Sequence, residues 1–180
     1  MNLQKRIIIR FPILMLLAVT ILASCGGNNM RPEKALNSFS KLIENKNLDD
    51  LSLTIYYISP SILTRAPLSV DGLINSSHVH KEVANGSSLE EHIDLLNQLS
   101  NDVLIPVENK SRIDARFYYV FETKKNRKIF DVSMWGNDNS IFVNGLEVQE
   151  DDIFYDVVMP LLSEDGVKAL ETYLNREKQE

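Results

Sequence analysis

The sequence predicts an α+β domain, an antiparallel meander of about four strands with helices packed on one face. Three observations predict it. Two runs rich in aromatic and β-branched residues flank a short charged turn, Asn144-Gly145 joins two further short apolar runs, and amphipathic segments lie at both ends.

Taken in order, Pro32 and Glu33 open a helical pattern, with proline where its missing N–H matters least. Ala35, Leu36, Phe39, Leu42 and Ile43 recur at spacings of three and four, which predicts an amphipathic helix over 32–45. Leu51 to Ser59 reads as a strand, and Pro60 and Pro67 make the next stretch irregular. His78 to Ala84 reads as a second, more polar strand closed by Asn85-Gly86. Ser88, with Glu91 three residues on, has the spacing of a capping box for a helix from Leu89 to about Leu99.

The strongest β signal follows. Ile113–Thr123 and Lys128–Trp135 read as strands joined by the turn at Lys124–Arg127. Phe117, Tyr119 and Phe121 share one face of the first, and Phe130, Val132 and Met134 one face of the second. Ile141–Val143 and Leu146–Val148 flank Asn144-Gly145, a type I′ hairpin signal. Asp151 or Asp152 caps a segment running to Met159, Pro160 breaks it, and Ser163 caps a last helix to about Asn175.

The first residues read as an export signal. Lys5, Arg6 and Arg10 form a basic start, and Phe11–Ala23 is apolar or small apart from Thr20, too short for the roughly 20 residues of a bilayer span. The run closes with Leu22-Ala23-Ser24-Cys25-Gly26. These residues resemble the lipobox of bacterial lipoproteins. The resemblance implies that Cys25 receives a diacylglyceryl thioether and that the chain is cut before it. Two acyl chains hold a protein on a bilayer stably where one holds it marginally, because each buried methylene contributes about 0.8 kcal/mol. The resulting division is a signal peptide over 1–24, a lipidated tether over 25–31 and one extracytoplasmic domain over 32–180. Arg116-Phe117-Tyr118-Tyr119-Val120-Phe121-Glu122 and Phe142-Val143-Asn144-Gly145 are similar to segments of small uncharacterised lipoproteins of Gram-positive bacteria, a resemblance that implies no activity.

Removing residues 1–24, which carry three basic and no acidic residues, leaves 156 residues and takes the formal charge from −6 to −9. An acidic domain is a poor partner for nucleic acid, which needs clustered Lys and Arg, and anionic lipid heads repel it. The expected partners are therefore the bilayer, through the Cys25 lipid, and another cell-envelope protein, at the extracytoplasmic face of the cell membrane. Cys25 is the sole cysteine, so its lipidation leaves no thiol for a disulfide, a zinc cluster or a nucleophile.

Few residues carry chemistry. His78, His80 and Glu82 alternate, so a strand would point all three to one face, and His92 could join them from the next helix. That set suits zinc or another divalent transition metal in a metal-binding lipoprotein or metal-dependent hydrolase; the competing reading is an exposed polar edge strand. Glu147, Glu150, Asp151, Asp152 and Asp156 offer oxygen ligands but lack EF-hand spacing, and acidic residues before a helix already have a role in capping. Ser38-x-x-Lys41 has the Ser-x-x-Lys spacing without the Ser-Asp-Asn and Lys-Thr-Gly elements that must accompany it. Tyr118, facing away from Phe117 and Tyr119, and Trp135, beside a turn, are candidate surface contacts for a ligand. No Walker loop, dinucleotide fingerprint, His-Glu-x-x-His or nucleophile elbow is present, so no cofactor is expected. The reading is a tethered, non-enzymatic binding or protein-interaction domain.

Overall fold

Pro32 stands in the first turn of helix α1, Pro32–Glu44, with Glu33 at its N-terminal end and Lys41 in its last turn, charges that suit the helix dipole. Its apolar stripe buries Ala35, Leu36, Phe39 and Ile43 as the spacing predicts. The computed structural model describes residues 31–45, 48–108, 112–125, 127–134 and 140–176. The predicted lipidation site at Cys25 and the candidate contact at Trp135 lie outside the described residues.

Six strands form one open antiparallel sheet: β1 Leu51–Tyr57, β2 His80–Asn85, β3 Phe117–Thr123, β4 Lys128–Met134, β5 Ile141–Val143 and β6 Leu146–Val148. Their order across the sheet is β2-β1-β3-β4-β5-β6. The α+β class stands as predicted, but the strand count is six and not about four. The difference comes from β1, which pairs with both β2 and β3 and so extends the local meander by two strands. Its partner in β3 is distant in sequence, Leu51 opposite Thr123 and Tyr57 opposite Phe117. No local pattern encodes a pairing across that separation.

One face carries the main core. Phe39 of α1 packs its ring 4.7 Å from Phe121 and 5.1 Å from Phe130, and those two rings lie 4.9 Å apart. Phe121 and Phe130 are direct partners across β3 and β4, which is the contact that sheets use to hold large side chains. Asn144 and Gly145 turn β5 into β6 with φ of 49° and 78°, the positive pair that a type I′ turn requires.

The C-terminal segment closes the same face. The Asp151 carboxylate accepts from Ile153 N–H at 3.0 Å at the start of α5, Ile153–Asp156. The short helices α2 Val70–Ile74, α3 Gly86–Glu90 and α4 Ile93–Leu96 precede it, and α6 Glu164–Arg176 follows. The helix predicted over Leu89–Leu99 is broken into α3 and α4 around Glu91 and His92. It also starts earlier, because Gly86 lets the chain run against the Leu48 backbone with no room for a Cβ.

Helices do not stop at one face. The second face carries a smaller cluster of Ile58, Leu73, Ala115, Tyr118 and Val120, roofed by residues of the 62–79 segment including α2. Ala115 N–H donates to Leu68 O at 2.8 Å, and Leu68 N–H donates to Asp114 Oδ1 at 2.7 Å. These bonds turn residues 113–115 toward the roof, so β3 begins at Phe117 and not at Ile113.

Candidate functional site

The candidate site is a cleft of about 470 Å³ at the C-terminal end of β1, lined by Tyr57, Ser59, Pro60, Ser61, His80, Asp165, Lys168, Ala169 and Thr172. Three pieces of chain build it. The strand register puts Tyr57 directly opposite His80 at the start of β2. Residues 59–61 leave β1 as a turn, in which the Ser59 and Ser61 hydroxyls lie 2.8 Å apart. Asp165, Lys168, Ala169 and Thr172 fall at spacings of three, one and three on α6, so one face of that helix forms the opposite wall.

The wall is held in place from both ends. Near the start of α6, Ser163 N–H donates to Glu82 Oε2 at 2.7 Å, and the Ser163 hydroxyl donates to Glu82 Oε1 at 2.7 Å. The same hydroxyl accepts from Gly166 N–H at 3.3 Å, which is the cap that the sequence predicts for Ser163. Further along the helix, Tyr173 donates to Ile58 O at 3.0 Å. The helix is thereby fixed against β1 and β2 on either side of the cleft.

The Tyr57 and His80 rings line its floor, and Phe117, fully buried, lies behind Tyr57. Phe117, Tyr57 and His80 are direct neighbours across β3, β1 and β2. Phe117 and Tyr57 stack with centroids 5.6 Å apart and planes at 16°, and Tyr57 and His80 with 5.0 Å and 10°. The Tyr57 hydroxyl donates to Glu82 Oε1 at 2.9 Å. Burial pushes this phenol above its ordinary range; the Ser163 hydroxyl pulls against that, and the Glu82 carboxylate adds to it.

Of the predicted metal set, His80 and Glu82 stay together, both against Tyr57. Glu82 has both carboxylate oxygens engaged by Tyr57 and Ser163. His80 is exposed at the cleft, His78 lies in the turn before β2, and His92 precedes α4, where its carbonyl accepts from Leu95 and Leu96 N–H. Among the described residues, no three His, Cys, Asp or Glu side chains gather as a metal site.

The other candidates fall elsewhere. Tyr118 does face away from Phe117 and Tyr119, but only 6% of it is exposed, because the 62–79 roof covers that face. Its hydroxyl donates to Asp131 Oδ2 at 3.2 Å, and burial, followed by the Asp131 charge, raises it far above the ordinary phenol range. It is a core residue and not a surface contact. In the acidic run, the Asp151 carboxylate accepts from Ile153 N–H, Asp152 stands at the N-cap of α5, Glu147 is buried, and Glu150 accepts from the Tyr155 hydroxyl at 3.1 Å. Ser38, of the Ser-x-x-Lys spacing, donates to Lys34 O at 2.9 Å on the exposed side of α1.

Of the cleft residues, the sequence singles out His80 alone. Asp165, Lys168 and Thr172 fall within the helix predicted to run to about Asn175 and carry no motif, and only the docking of that helix on β1 makes them a wall. Comparison with protein-family models, with curated proteins and with solved structures gives no match. No helix among the described residues is long and apolar enough to cross a membrane.

Proposed function

We propose that this protein is a lipid-anchored extracytoplasmic binding domain, held to the membrane through Cys25 and taking its ligand in the cleft between β1 and α6. The cleft carries the reading. It combines a ring floor, hydroxyls from Ser59, Ser61 and Thr172, and a carboxylate and an ammonium from Asp165 and Lys168. Apolar surface with a few convergent polar groups is the common make-up of a small-ligand site, and its volume lies within the usual range of roughly 300–1,000 Å³.

Its chemistry favours binding over turnover. The Ser163 hydroxyl, 2.7 Å from a carboxylate oxygen, donates to Glu82 and at the same time accepts from Gly166 N–H, so both partners serve the helix cap. A serine nucleophile instead needs a base that takes its proton and a third group that orients that base. The anchor rests on the resemblance of Leu22-Ala23-Ser24-Cys25 to a lipobox, and the acidic domain makes the lipid its firm hold on the membrane.

Photo-crosslinking in intact cells tests the pairing of tether and cleft. A photoreactive residue at Ser61 should give crosslinks that Thr172→Trp, which fills the cleft, suppresses; the same residue at Lys125 should give a profile that Thr172→Trp leaves unchanged. Crosslinks at Ser61 that are indifferent to Thr172→Trp would place binding elsewhere on the domain.

A further inference from the structure

We infer that the ligand class of this cleft is an aromatic α-amino acid, with its ring on His80, its carboxylate on Lys168 and its ammonium on Asp165. The inference rests on the reading of the cleft as a ligand site and adds the chemistry of what it holds. Two independent features meet there.

The first is a ladder of rings that stops at the cleft. Phe117, Tyr57 and His80 run across three strands in near-parallel stacks, from a fully buried ring to an exposed one. His80 belongs to β2, the last strand on its side of the sheet, and no further described ring stacks on it. Its open side is a planar, polarisable surface that another ring can extend, an arrangement worth roughly 0.5–1.5 kcal/mol beyond area burial. Glu82 holds the Tyr57 hydroxyl and so keeps the middle rung in place.

The second is a pair of exposed, oppositely charged side chains that no ion pair among the described residues engages. Among the described residues the ion pairs are Arg116–Asp114 and Lys128–Asp131, and neither Asp165 nor Lys168 takes part in one. Both line the cleft and stand three residues apart on α6. Positions at that spacing are neighbours, with Cβ atoms about 5–6 Å apart. A ligand whose ammonium and carboxylate sit on one carbon can meet both groups at once, with its side chain directed to the ring floor. A ligand with only one charge would leave the other helix group unmatched, and one without a ring would leave His80 uncovered.

Saturation-transfer NMR on the full chain in detergent, with L-phenylalanine as probe, tests this. Phenylalanine should receive saturation at its ring protons. Alanine, which lacks the ring, and 3-phenylpropionate, which lacks the ammonium, should bind at least tenfold more weakly. His80→Ala and Lys168→Ala should each weaken phenylalanine at least tenfold, while His80→Trp, which keeps a ring there, should retain it; circular dichroism confirms that each variant is folded. Alanine binding as well as phenylalanine, or phenylalanine binding unchanged in His80→Ala, would overturn the ligand class while leaving the cleft as a site. No transfer to phenylalanine in the parent chain would overturn it as well, and cleft-dependent crosslinks at Ser61 would then show that the broader reading survives.

Discussion

Ser163 and Glu82, 81 residues apart, meet through two hydrogen bonds of 2.7 Å, one from the serine N–H and one from its hydroxyl. A carboxylate on an edge strand thus terminates the C-terminal helix. It does for α6 what an N-cap side chain does locally, and negative charge at a helix start is favourable in itself. Tyr57 adds a third bond at 2.9 Å. Glu82→Ala should therefore lower stability by about 2–3 kcal/mol, given that hydrogen bonds to a charged group are worth roughly 1.5–3 kcal/mol. Ser163→Ala, which keeps the N–H bond, should cost about 1 kcal/mol. Urea unfolding of both variants and the double variant measures this, and full additivity would show that the bond between the Ser163 hydroxyl and Glu82 contributes nothing to stability.

Among the described glycines, Gly86 leaves the least room for a side chain. A Cβ there would meet the carbonyl of Leu48, which is main chain and cannot rotate away. Gly86→Ala should destabilise by about 1–3 kcal/mol, the usual cost of overpacking. Gly145→Ala has open space around its Cβ but a φ of +78°, so it should cost only about 1 kcal/mol. Thermal melts of the pair would contradict this account if Gly145→Ala were the more damaging.

Thr123 Oγ1 is buried without a hydrogen-bond partner among the described residues. Thr123→Val keeps the shape and removes the unmatched hydroxyl, so it should raise stability by up to about 1 kcal/mol. Its unfolding midpoint in urea reads the effect, and a fall would mean that the hydroxyl is satisfied.

Alkaline pH should unfold the domain through two buried phenols. Burial raises Tyr118 and Tyr119 well above the ordinary value of 10.0, with the Asp131 charge next in importance for Tyr118 and that of Tyr155 for Tyr119. Above pH 10 the unfolded chain releases these protons while the folded chain keeps them, so stability is full below pH 10 and falls as pH rises. Each phenol should contribute a slope of about 1.4 kcal/mol per pH unit. Tyr118→Phe should remove one phenol's share, measurable as a shallower loss of stability between pH 10 and 11.

The main face of the sheet was legible residue by residue. Phe117, Tyr119, Phe121, Phe130 and Val132 alternate as a half-buried pair of strands must, and all five are buried against α1 and its neighbours. The Asn144-Gly145 turn was equally plain, because few other dipeptides accept two positive φ angles. What stayed hidden was non-local. β1 sits between β2 and β3 through pairings that no short window contains. Tyr118 alternates to the outer face, and only the 62–79 roof decides that this face is covered. The cleft is hidden for the same reason: His80, Ser59 and Lys168 come from three separate segments and meet only when Glu82 docks α6.

The anchor tests the account most directly. Mass spectrometry of the protein extracted from membranes, together with fractionation of parent and Cys25→Ala cells, should find a parent chain that begins at Cys25, carries acyl groups and leaves the membrane only with detergent. Cys25→Ala should be released, or remain as uncut precursor. A Cys25→Ala protein that is still processed and still membrane-bound would contradict the central claim.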